Sequence, residues 1–68
     1  MKEFNPNNHG PWEISHTYGG GVSCWQVYRL RDKDYIDHSG NREYVGPTFK
    51  NEAEARVWLE ANRAALPD

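Results

Sequence analysis

Sulfur is scarce in this 68-residue chain, which holds one cysteine, Cys24, and one methionine. A lone cysteine rules out an intramolecular disulfide. No apolar stretch approaches the roughly 20 residues of a membrane span, and the opening MKEFNPNNHGPW lacks the apolar centre of a signal peptide. These features together point to a soluble protein of the cytoplasm. A basic excess is missing as well. Eight Lys and Arg against ten Asp and Glu give a formal net charge of −2, the wrong sign for blanket attraction to nucleic-acid phosphates. Aromatics, by contrast, are plentiful: three Trp, four Tyr and two Phe. In a chain this short, which buries only about 60% of its unfolded surface, such large side chains must supply much of the buried area.

There is no internal repeat or linker, so residues 12–68 read as one domain preceded by an arm. Residues 1–11 hold Asn5, Pro6, Asn7, Asn8, Gly10 and Pro11, which favour turns or deny backbone donors. The arm is therefore expected to be irregular and anchored by Phe4. From Trp12 the chain alternates, with Trp12, Ile14, His16 and Tyr18 on one side and Glu13, Ser15 and Thr17 on the other, the pattern of a half-buried strand. Gly19 to Gly21 end it. A second strand runs from about Val22 to Arg31 with apolar groups on both faces. Asp32 to Asp34 are expected to form a turn or bulge of solvated acids, residues 35–38 a short strand, and Ser39-Gly40-Asn41 a tight turn into a strand over 42–45 that Gly46-Pro47 closes. Asn51 caps a C-terminal helix, with Glu54 placed to complete a capping box. Ala55, Trp58, Leu59, Asn62 and Leu66 share one helical face, and Val57 projects away from it. The expected fold class is α+β: a three- to four-stranded antiparallel β-sheet packed on one C-terminal α-helix.

Several catalytic and metal patterns fail on spacing. Ser23-Cys24-Trp25 matches only the end of the papain-type signature, and an activated thiol needs a helix N-terminus or a cationic neighbour, whereas Cys24 falls in a strand. Gly19 and Gly21 miss the last position of G-x-G-x-x-G, and no helix follows to supply a field for phosphate. Asp32, Asp34 and Glu43 have the first, third and twelfth spacing of a calcium loop, but Asp37 stands where that loop needs glycine. Asp37-His38-Ser39 are adjacent on the expected strand and cannot converge as a triad. His9, His16, His38 and Cys24 lack any paired zinc-ligand spacing. No enzyme activity, cofactor or metal is expected.

Surface recognition is what the residues leave. Arg29, Arg31, Lys33 and Arg42 cluster on two adjacent strands and their turn, and with Trp25 or Tyr28 on the same sheet they suit an acidic protein patch or a phosphate backbone. "CWQVYRL", "GNREYVGPTF" and "NEAEARVWLEAN" together resemble a group of small bacterial and phage proteins of unknown function. Their shared pattern is W-x-V … G … F-x-(S/T/N)-x-x-E-A-x-x-W. The layout is also similar to AP2-type DNA-binding domains and the N-terminal domains of tyrosine recombinases, whose sheet enters the major groove. That resemblance implies an antiparallel sheet with a C-terminal helix, and it makes Arg29, Arg31 and Arg42 the residues suited to DNA. The expectation is a small binding protein, encoded by a phage or other mobile element, that docks to a protein partner or to itself as a homodimer through an open sheet face. DNA binding is the competing reading.

Overall fold

The structure, a computed structural model, describes residues 3–67. Three antiparallel strands, β1 (Glu13–Gly19), β2 (Val22–Leu30) and β3 (Arg42–Phe49), lie in the order β1-β2-β3, and helix α1 (Glu52–Asn62) follows. Gly19 pairs with Val22, so only Gly20 and Gly21 make the β1–β2 loop. Their φ values of 59° and 79° give the twist that a two-residue hairpin loop needs and that residues with a Cβ resist. The glycine run thus ends the strand with Gly19 and turns the chain with the other two.

Register assigns the two faces. Ile14, Val27 and Val45 oppose one another, as do His16, Trp25 and Phe49. Residues of this parity face α1, which supplies buried Ala55 and Leu59 against buried Val27. The Asn51 side chain accepts the Glu54 N–H at 2.8 Å, fixing where the helix starts. Trp58 then lies 6.3 Å from Phe49, centroid to centroid. Its indole is close enough to Gly46 that a Cβ there would sit 2.6 Å from the ring. Residues of the opposite parity, Glu13, Ser15, Thr17, Cys24, Gln26, Tyr28, Leu30, Arg42 and Tyr44, make the other face, which no helix covers among the described residues.

Two expectations are corrected between β2 and the end of β3. Residues 35–38 form no strand, because the loop satisfies its backbone locally. The Asn41 side chain, fully enclosed, accepts the Asp32 N–H at 2.9 Å and donates to the carbonyls of Asp32 and Ile36, each at 3.0 Å. Those bonds fold the segment back on itself before a ladder can form. Nor does Gly46-Pro47 close the sheet. Trp25 pairs with Phe49 and Val27 with Val45, so three β3 residues bulge opposite Gln26, whose Nε2 donates to the Gly46 carbonyl at 2.8 Å. β3 is an edge strand, where proline's missing donor costs little.

The arm has more than Phe4 to hold it, although Phe4 does meet Tyr35 edge-on at 5.2 Å. Asp32, expected in water, is wholly enclosed. Its carboxylate accepts the Asn5 N–H at 2.9 Å, Asn8 Nδ2 at 2.7 Å and the Asp34 N–H at 3.0 Å. Backbone bonds from Lys33 to Asn8 and from Gly10 to Leu30 complete the seam. A buried carboxylate is stable only with such donors around it, and the Asn-rich arm provides them.

Candidate functional site

On the uncovered face the strands converge on Arg42. Its Nε and Nη2 donate to the two carboxylate oxygens of Asp37 at 2.8 and 3.0 Å, a two-pronged pairing that fixes the guanidinium plane. Nη1 reaches Ser15 Oγ at 3.0 Å and the Tyr44 hydroxyl at 3.4 Å. The guanidinium carbon lies 4.4 Å from the centre of the Tyr28 ring, within cation–π range, and Tyr28 and Tyr44 are 6.0 Å apart. One side chain therefore ties β1, β2, β3 and the preceding loop together. The bond to Arg42 holds the Asp37 carboxyl below its ordinary range, and Asp37 in turn raises the Arg42 pKa. Burial, helped by Glu13, raises the Tyr28 phenol. All three shifts favour a cluster whose charge is internally matched at neutral pH.

The six residues expected to form one contact surface do not come together. Tyr28 and Arg42 are on the open face. Trp25 and Arg29 have the other parity and face the helix side. Trp25 stacks on His16 at 4.3 Å. Arg29 is only 3% exposed. It donates to Glu43 Oε1 and to the Pro67 carbonyl, each at 3.2 Å, and lies 4.4 Å over the Trp12 ring. Its guanidinium is an internal brace rather than a free hand for phosphate. Arg31 and Lys33 are exposed in the loop after β2, where their backbone N–H groups bond Asn41 and Asn8. Tyr44 and Ser15 were missed. Tyr44 was within reach of the sequence, since it follows Arg42 by two in a strand and must share its face.

Cys24 sits half-buried on β2 opposite Thr17, and His16 lies on the other face, so thiol and imidazole do not meet. Among the described residues no group of three or more His, Cys, Asp or Glu side chains is gathered to hold a metal, and no helix is long and apolar enough to cross a membrane. A cleft of about 280 Å³ opens between β1 and α1. No family model, curated protein or solved structure matches this chain.

Proposed function

We propose that this chain is a small non-enzymatic binding protein that docks on another protein through the open face of its sheet. The observation that carries this reading is the Tyr28–Arg42–Tyr44 cluster standing on a sheet face that has no covering layer. Tyrosine and arginine are the side chains most often found at the energetic centres of protein interfaces. Here the bonds to Asp37, Ser15 and Tyr44 already order the arginine, which lowers the entropy lost on association. The competing reading is duplex DNA gripped in the manner of AP2-type and recombinase N-terminal domains. It asks for several arginines free to meet phosphate from one face, but Arg42 is neutralised by Asp37, Arg29 is enclosed and Arg31 alone of the three stands exposed, in the loop after β2, so the charge pattern favours a protein surface.

A photo-crosslinking amino acid placed at Tyr44, in cells of the native source, tests the reading. The expected result is a discrete protein adduct from position 44 that is absent from position 60 on the exposed side of α1 and lost when Arg42→Ala is added. Equal adducts at both positions, or none at 44, would sink the docking reading. Duplex-DNA binding that weakens steeply with salt and disappears with Arg42→Ala would replace it with the nucleic-acid one.

A further inference from the structure

The two edges of the sheet are unlike. β3 carries Pro47, a glycine at φ 72° and a bulge, the devices that stop a strand from templating a neighbour. β1 has none. Its seven residues, Glu-Ile-Ser-His-Thr-Tyr-Gly, contain no proline, lysine or register shift. Among the described residues, no backbone group of β1 bonds to any backbone beyond the sheet. Close by are two features that the fold does not use. Tyr18 is 70% exposed. The cleft beside Ile14 is bounded by Trp12, Ile14 and the buried Leu59 and, for the larger part, by Glu13, Glu52, Arg56 and Arg63.

We propose that β1 pairs antiparallel with β1 of a second copy, and that each copy places Tyr18 in the cleft of the other. The register follows from symmetry. A twofold axis perpendicular to the sheet keeps each face on its own side, so directly opposed residues must have like parity, and the centre must fall on a residue rather than between two. Centring on His16, the midpoint of Glu13–Gly19, pairs all seven positions. The partner subunit's Tyr18 then stands opposite Ile14, on the helix side of the sheet, where the cleft opens. Opposed side chains are about 5 Å apart at Cβ, well within the reach of a tyrosine. At about 280 Å³ the cleft lies just under the usual size of a small-molecule site and suits one aromatic side chain. The ring lies against Trp12 and Ile14 and among the Arg56 and Arg63 side chains that make most of the cleft wall, and the hydroxyl finds Glu52, Arg56 or Arg63, as a buried tyrosine requires. On the open face Ser15 opposes the partner's Thr17, a favourable hydroxyl pair. The strand's only carboxylate, Glu13, opposes glycine, so this register sets no two carboxylates face to face. The result is a continuous six-stranded sheet, and this contact leaves Tyr28, Arg42 and Tyr44 uncovered.

Sedimentation equilibrium of the full chain is the test. The expected mass is twice 7.9 kDa, with Tyr18→Ala and Thr17→Lys each raising the dimer Kd at least about tenfold and Tyr44→Ala leaving it unchanged. Tyr18 and Thr17 are both exposed, so neither change threatens the fold. In a Cys24→Ser background, His16→Cys should form an intermolecular disulfide faster than Ser15→Cys, because only position 16 opposes itself. A monomer at every concentration up to the millimolar range overturns the proposal, as does a dimer indifferent to Tyr18→Ala and Thr17→Lys. Faster crosslinking from position 15 overturns the register. None of these outcomes depends on whether the open face has a partner.

Discussion

Replacing Asn41 with alanine should cost more than any other single truncation of a polar side chain outside the Asp32 cluster, and the structure says why. Three hydrogen bonds, at 2.9, 3.0 and 3.0 Å, are lost from a side chain with no exposure, but their consequences differ. The Asp32 carbonyl keeps a second donor, the Tyr35 N–H at 3.1 Å. The Ile36 carbonyl belongs to an exposed residue and regains water. The Asp32 N–H belongs to a fully enclosed residue and loses its partner, at about 1–3 kcal/mol for an unsatisfied buried group. With roughly 1 kcal/mol for the void, the total is about 2–4 kcal/mol. A domain of this size has only about 3–10 kcal/mol in all, so the melting temperature should fall by about 10–25 °C. Urea unfolding followed by far-UV circular dichroism reads the change directly. Asn41→Asp preserves shape and the acceptor yet turns two donors into an oxygen facing two carbonyls, and should do no better than alanine. A loss below about 1 kcal/mol for both variants would refute the argument and show that water closes the loop as well as the amide does.

Two further outcomes follow from the same geometry. Gly46→Ala combines a positive φ with a Cβ placed 2.6 Å from the Trp58 indole, and should destabilise by about 2–4 kcal/mol. Gly20→Ala at φ 59° meets nothing within 4 Å and should cost only about 1 kcal/mol, so calorimetry of the pair separates backbone strain from steric conflict. The folded Asp37 carboxyl titrates below its ordinary value of 3.8 because Arg42 donates to it. Its contribution is therefore complete above the unfolded value and fades as pH falls through the lower folded one. The stability gap between the native chain and Asp37→Asn should stay level from pH 7 to about 5 and shrink below about 4. A gap that widens on acidification would contradict the pairing, and carbon NMR of the Asp37 carboxyl gives its midpoint independently.

The helix and the first hairpin were legible because their signals are local. Asn51 three residues before Glu54, a stripe at Ala55, Trp58 and Leu59, and glycines between an alternating run and an aromatic, β-branched one all act within a few positions of themselves. The loop over residues 31–41 was not legible. Tyr35 and Ile36 have the composition of a strand, and what overrides them is one amide reaching back nine residues to Asp32 and five to Ile36. Gly46-Pro47 misled for a related reason, since the bulge opposite Gln26 absorbs both residues and lets pairing resume at Phe49. Arg29 shows the limit of reading charge as exposure. An arginine can face the core side when Glu43, Trp12 and a carbonyl await it, and those partners come from β3, from just before β1 and from beyond the helix. The open-face cluster was half legible, with Tyr28 and Arg42 named but Tyr44 passed over. Asp37, assigned to a strand that does not form, proved to be Arg42's counterion.

The Asp32 seam bears on how this protein is handled. Because an enclosed carboxylate draws donors from Asn5 and Asn8, a shortened version starting at Trp12 would strip an anion of part of its solvation shell rather than trim a loose end. Fusion partners and labels therefore belong away from the arm, and the asparagines near the start should be left as they are.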